Sequence, residues 1–278
     1  MPDRISEVPT WVNGQPAERL PVFDRGLAYG DGVFETIRVG AQSPVLLDLH
    51  MQRLHEGLAR LRIDYDAGAL TEEISQYPGF QQSSIVKIII TRGVGGRGYS
   101  EANVQGPTRV FSTHPLPEYP PQYAAEGISV FPCRQRLALN ATLAGIKHLN
   151  RLEQVLARQE WVGDRYQEGL MLDARGCVIE GVFSNVFAVI DGQVHTPLLE
   201  HAGVAGVMRR WLLEQFAEHG ISIRVGQVTL QDIQLADEWF FCNSVYGIWP
   251  VRQWENRSWT VGQITRQAQQ WVMDRWQF

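Results

Sequence analysis

The sequence predicts an α/β protein in two domains, on three observations. Some stretches place apolar residues at helical spacing and others run β-branched and continuous, so helices and strands alternate along the chain. Four prolines fall within the eight residues from His114 to Pro121, a semi-rigid break in regular structure. With 278 residues, 44% hydrophobic and 20% charged, there is material for two buried cores. The expected organisation is a smaller N-terminal α/β domain over residues 1–113, a linker over 114–122 and a larger C-terminal domain over 123–278.

The elements follow in order. Trp11-Val12 reads as a strand closed by an Asn13-Gly14 turn. After the glycine-rich turn Tyr29-Gly30-Asp31-Gly32, Val33 to Val39 reads as a strand, with Val33, Glu35, Ile37 and Val39 on one face and Phe34, Thr36 and Arg38 on the other. The second face can line a site for an anion, and equally it can be an outer sheet surface. Leu47, Met51, Leu54, Leu58 and Leu61 alternate steps of four and three, which predicts an amphipathic helix over 46–62. Arg53 lies beside that stripe, where its head can reach an interior anion or snorkel to water. Ile85 to Thr91 and Thr108 to Thr113 predict strands, and helices are expected over 204–219 and near 261–276. Hairpins are expected for 168–180 and 185–196, and further strands for 128–133, 221–225 and 238–242.

Charge and cysteine usage exclude several classes. A formal net charge of −5 gives no general attraction to nucleic acid or an anionic membrane. Three cysteines without CxxC spacing argue against a disulfide framework or a structural zinc, and no metal site is expected. No apolar run approaches membrane-spanning length, and Met1 to Pro9 is too polar for a signal peptide, so a cytoplasmic location is expected.

Five features carry candidate chemistry. In Leu143-Ala144-Gly145-Ile146-Lys147-His148-Leu149-Asn150-Arg151-Leu152-Glu153, one lysine stands at the end of an apolar run. A helix is expected to follow, with Asn150 as its cap, Glu153 reaching back in a capping box, and Leu152, Val155 and Leu156 facing inward. A desolvated lysine so placed can lose its proton near neutral pH and attack carbonyls; a surface lysine before a helix is the plainer reading. Glu180 ends a strand. Ala202-Gly203-Val204-Ala205-Gly206-Val207-Met208-Arg209 opens a helix with small residues, which allows an anion to approach its free amides. Ser244 follows the strand ending at Cys242. The fifth, Arg92-Gly93-Val94-Gly95-Gly96-Arg97-Gly98-Tyr99-Ser100, has four glycines but lacks the Walker spacing, so it is no phosphate loop. It reads better as a loop presenting Arg97 and Tyr99 to a carboxylate.

The run from Glu180 through Asn185-Val186-Phe187 and Val194-His195-Thr196 to Val204-Ala205-Gly206-Val207-Met208-Arg209 resembles the class IV aminotransferase signature. The resemblance implies the two-domain α/β architecture of fold-type IV enzymes (D-amino-acid aminotransferase-like), with pyridoxal 5'-phosphate held between the domains and the larger C-terminal domain binding it. One position departs: the signature favours a small residue or isoleucine two after the glutamate, and Val182 stands there. Leu143 to Glu153 and Thr91 to Ser100 are similar to the lyase branch of that family, which converts aminodeoxychorismate to 4-aminobenzoate and pyruvate. The likeness extends from Asn13-Gly14 to Trp249-Pro250.

By this resemblance Lys147 would carry the cofactor and move protons, and Glu180 would pair with the pyridine nitrogen. Arg53, the amides of Val207 and Met208, and Ser244 would bind the phosphate. Thr36 would assist the leaving group, and Arg97, Arg38, Tyr99 and Tyr29 would meet the small-molecule substrate. A homodimer is implied. Phe34-Glu35-Thr36-Ile37-Arg38 is also similar to branched-chain transaminases, so a D- or branched-chain amino-acid transaminase is the alternative.

Overall fold

The structure is a computed structural model that describes residues 8–41 and 43–276; residues 1–7, part of the stretch read as too polar for a signal peptide, lie outside it. The chain forms two compact units. The first runs to Pro117 and takes in Ile146–Asn150 and Trp276; the second holds Glu118–Gly145 and Arg151–Arg275.

The first unit is built on strands β1 (Trp11–Val12) and β2 (Gln15–Pro16), helix α1 (Arg25–Tyr29), strand β3 (Gly32–Val39), helices α2 (Leu47–Leu61) and α3 (Ala67–Gln76), and strands β4 (Ser84–Thr91) and β5 (Thr108–His114). The strands form one antiparallel sheet in the order β2-β1-β5-β4-β3. Alternation in β3 sends Val33, Ile37 and Val39 into a core with Leu54 and Leu58 of α2 and Val86, Ile88 and Ile90 of β4. That leaves the far edge of β3 open. Ile146–Asn150 occupies it: Phe34 N donates to Lys147 O at 2.9 Å and Leu149 N to Gly32 O at 3.0 Å. The short segment around Lys147 therefore belongs to the first unit, although the sequence boundary placed it in the C-terminal domain.

The second unit contains α4 (Gln122–Ala125), β6 (Ile128–Leu137), α5 (Leu152–Arg158), β7 (Glu168–Asp173), β8 (Val178–Gly181), β9 (Asn185–Ile190), β10 (Gln193–Pro197), α6 (Val207–Glu218), β11 (Ile223–Gly226), α7 (Leu230–Leu235), β12 (Glu238–Asn243), β13 (Gly247–Trp254), β14 (Arg257–Ser258) and α8 (Gln263–Trp276). Its sheet runs β11-β10-β9-β12-β13-β6-β7-β8, with β14 paired to β13. Pairing is mixed: β6 lies parallel to both β7 and β13. Leu170 and Leu172 of β7 point into one core and Met171 into another, so both faces are covered and the middle of the strand, Leu170 to Leu172, is continuously apolar.

Helix α5 corrects the sequence reading. Its cap position is Arg151, and no side chain caps it. Asn150 instead donates from Nδ2 to Gly30 O at 3.1 Å, and Glu153 Oε1 accepts from Ala138 N at 2.8 Å. Leu152 is 74% exposed, and Val155 and Leu156 are exposed with it, while Ala157 is buried. The apolar stripe faces out because the buried side of this two-turn helix is carried by the smaller residue.

Candidate active site

In the first unit the chemistry is arranged on the two faces of β3. The chain has two lysines, Lys87 and Lys147. Both amines lie over the Phe34 ring, Lys147 Nζ at 4.5 Å and Lys87 Nζ at 5.3 Å from its centroid. Lys87 is the cross-strand partner of Thr36. The half-buried face of Phe34, Thr36 and Arg38 thus carries both amines. Arg38 stacks on Trp276 at 4.2 Å, and burial lowers its pKa.

The opposite face holds a buried ionic cluster. Glu35 is fully buried; Arg53 donates to it from Nε at 2.8 Å and from Nη2 at 2.5 Å, and His50 Nδ1 lies 2.6 Å from Glu35 Oε2. Burial pushes the Glu35 carboxyl up, but the Arg53 guanidinium and the His50 hydrogen bond override it and hold it down at about 2. Burial lowers the His50 pKa against the pull of Glu35, and the charges of Arg53 and Lys147 lower it further. Since an ionised carboxylate only accepts, His50 carries a proton on the Nδ1 that faces Glu35. Arg53 does reach an interior anion, and that anion is Glu35. Glu35 and His50 escaped the sequence reading, yet the signal was present: a glutamate alternating with Val33, Ile37 and Val39 on a buried face requires a cation.

The loop after β4 projects Arg97 and Tyr99 outward, Tyr99 being 88% exposed. Its ring lies 5.5 Å from that of Tyr29, and the Arg25 guanidinium lies over Tyr29 at 4.8 Å. Tyr29, Tyr99 and Arg25 form one group, in which Arg25 was not foreseen.

In the second unit Glu180 is buried at the end of β8. Its Oε2 accepts from Val204 N at 2.7 Å, and Gln154 Nε2 lies 3.3 Å from its Oε1. Gly203 has φ +84°, and a Cβ there would stand 3.1 Å from Glu180 Oε2 and 2.6 Å from Ile179 Cγ2, so only glycine lets the chain pass this close. Asn185 Nδ2 donates to Val204 O at 2.8 Å. The chain then enters α6 through Gly206, which offers no side-chain cap. The first-turn amides of Val207 and Met208 have no acceptor within this twelve-residue helix. Ser244 stands in the turn after β12, whose shape Asn243 sets by accepting from Val245 N and Tyr246 N, each at 2.9 Å.

Behind Glu180 is a second buried carboxylate, also unforeseen. Glu168 accepts from Val182 N at 2.9 Å, Gly169 N at 2.8 Å and Ser184 Oγ at 2.6 Å, and so clamps the turn between Glu180 and Asn185. Burial pushes its carboxyl up to about 7 in spite of these donors.

The sequence pattern of the family described as amino-transferase class IV matches residues 32–254. The chain belongs to the class IV aminotransferase family. Family members similar to it include a Vibrio harveyi aminodeoxychorismate lyase, 38% identical over 93% of this chain and 97% of that protein. A solved 4-amino-4-deoxychorismate lyase from Pseudomonas aeruginosa is 48% identical, with a TM-score of 0.93 over 95% of this chain and 98% of that one. The fold is shared more widely: a branched-chain aminotransferase from the thermophilic archaeon Thermoproteus uzoniensis, solved with norvaline, superposes with a TM-score of 0.85 at 23% identity, over 96% of this chain and 93% of that one. Within this class IV chain no group of histidine, cysteine, aspartate or glutamate among the described residues is arranged to hold a metal. No helix there is long and apolar enough to cross a membrane.

Proposed function

We propose that this protein is a pyridoxal-phosphate-dependent lyase that converts 4-amino-4-deoxychorismate to 4-aminobenzoate and pyruvate. The observation that carries the reading is the nearly full-length likeness to lyases at 48% and 38% identity. The residues fit the cofactor. Lys147 offers an amine over an aromatic ring. Glu180 is a buried carboxylate fixed by Val204 N. The start of α6 offers uncapped amides. When bound, the cofactor supplies an electron sink for the charge left when a proton is removed beside the amine.

The rest falls to the chain. Glu180 keeps a proton on the pyridine nitrogen, and its hydrogen bond to a backbone amide prevents it from swinging away. The amides of Val207 and Met208, Ser244 and Arg53 hold the phosphate. Because Glu35 balances much of the Arg53 charge, a dianionic phosphate draws on the amides at least as much. Lys147 removes the proton at the amine-bearing carbon. The C–O bond to the enolpyruvyl group then breaks, with Thr36 assisting the departing oxygen, and the ring becomes aromatic. Arg97, Arg38, Tyr99 and Tyr29 receive the substrate carboxylates. Arg38 has to be shared with Trp276 in this role. The protein acts in the cytoplasm as a homodimer, for which light scattering should give twice the chain mass of 31.5 kDa.

Supplied with aminodeoxychorismate and no 2-oxo acid, the enzyme should form 4-aminobenzoate and pyruvate over many turnovers. Turnover that ends at one equivalent, or that 2-oxoglutarate restores, would make it a transaminase. Borohydride reduction and peptide mapping should leave the pyridoxyl group on Lys147, and a label on Lys87 would overturn the assignment of the amine.

A further inference from the structure

Arg25 is 4% exposed, although it carries a charge and belongs to the five-residue helix α1. Its Nε donates to Asp31 Oδ2 at 2.9 Å. Its remaining nitrogens reach three successive carbonyls at the tip of the Arg92–Ser100 loop. Nη1 donates to Gly98 O at 3.0 Å and Ser100 O at 3.2 Å, and Nη2 to Tyr99 O at 3.3 Å. The base of the loop is tied separately by backbone bonds: Arg25 N to Gly93 O at 2.9 Å, and Gly95 N to Phe23 O at 3.3 Å. Between base and tip the aliphatic stem of Arg25 passes Gly95 so closely that a Cβ there would lie 2.9 Å from Arg25 Cδ.

Asp31 also receives Arg92 Nε at 2.8 Å and Nη2 at 3.1 Å, and Arg92 in turn donates to the carbonyls of Leu61 and Arg62 at the end of α2. Burial raises the Asp31 pKa, but the two arginines lower it further, so the carboxylate stays charged. Arg92 is engaged by Asp31 and Glu101, and Arg97 stands exposed at the tip of the loop.

We propose that Arg25 is a positioning residue for substrate recognition: by holding the carbonyls of Gly98, Tyr99 and Ser100 it sets where Arg97 and Tyr99 stand to receive a carboxylate-bearing substrate. It acts through these carbonyls and through its contact with the Tyr29 ring, and touches no ligand itself. A rigid fork with several donors is needed, which a lysine cannot supply. The identity of the substrate, and only that, rests on the lyase reading above.

Two arms test it on the holoenzyme. In the first, without substrate, trypsin cleavage after Arg97 is timed in the parent, Arg25→Met and Arg25→Lys. Both variants should be cut about tenfold faster at Arg97 with little change in melting temperature, since Asp31 keeps Arg92 as its partner; local opening, not global unfolding, then sets the rate. In the second arm, Arg25→Met should raise KM for aminodeoxychorismate about tenfold and change kcat by less than about threefold. In an Arg97→Met background the same change should raise KM clearly less than it does in the parent, because one of the two side chains it positions is gone.

An unchanged cleavage rate overturns the proposal whatever the enzyme does. Faster cleavage with unchanged KM, or with effects that add fully to Arg97→Met, overturns the recognition role. If Arg25→Met fails to fold, Gly95→Ala displaces the same guanidinium and should shift cleavage and KM in the same direction. A parent inert toward aminodeoxychorismate counts against the lyase reading, and the positioning role is then decided by the cleavage arm alone.

Discussion

Replacing Glu35 with glutamine should destabilise the first unit by about 3 kcal/mol at pH 7, and most of that difference should vanish in acid. The carboxyl is buried, and its pKa falls from 4.5 to about 2 on folding, which corresponds to about 3 kcal/mol of extra stability when ionised. Removing one partner of a buried ion pair gives a similar figure, roughly 3–5 kcal/mol, because Arg53 is left uncompensated. Since the folded pKa is depressed, the contribution is complete above the unfolded value of 4.5 and is lost as pH falls toward 2. By pH 3 about 2 of the 3 kcal/mol should be gone. Urea unfolding at several pH values between 7 and 3, followed by fluorescence, measures both the offset and its slope. A second variant, Glu35→Gln with Arg53→Met, removes the stranded charge and should recover part of the loss. If Glu35→Gln costs less than about 1 kcal/mol at pH 7, or keeps the parent's slope between pH 5 and 3, the ion pair does not hold this face together.

Two further outcomes concern the second unit. Glu180→Gln should keep the fold, since the amide oxygen can still accept from Val204 N, but slow turnover on the order of a hundredfold; near-normal rates would make Glu180 a structural residue. Glu168 has the opposite sign to Glu35. Its folded pKa is raised to about 7, so the neutral carboxyl is favoured on folding and stability is lost as pH rises from 4.5 through 7. Glu168→Gln should flatten that decline, and an unchanged pH 5 to 8 stability profile would show that Glu168 is charged throughout.

Elements whose signal is local were legible. The Leu47–Leu61 stripe, the β-branched run of β4 and the hairpins of β7–β8 and β9–β10 each report their own periodicity, and each stands where the pattern placed it. The helix Ala67–Gln76 was missed because its short apolar pattern is broken by polar residues, and β13 because Pro250 interrupts it at a sheet position. The class IV family was legible too, because glycines with special backbone needs leave a dense signature between Glu180 and Arg209.

What sequence could not give was the partner of each polar side chain. Spacing made Glu153 a capping-box residue, but a carboxylate goes to whichever unpaired amide the fold brings near, and here that is Ala138 N. Periodicity showed that α5 has an apolar face without saying what covers it, and in the structure Leu152, Val155 and Leu156 are exposed. The same limit separates the two glutamates that matter most. Glu35 and Glu180 both sit among apolar strand residues, and partners distant in sequence, among them the arginine 18 positions away and the amide 24 positions away, explain why each tolerates burial. Each contact satisfies the chain before any ligand arrives. Both carboxylates are thus oriented by the chain's own donors, Glu35 by Arg53 and His50 and Glu180 by Val204 N and Gln154.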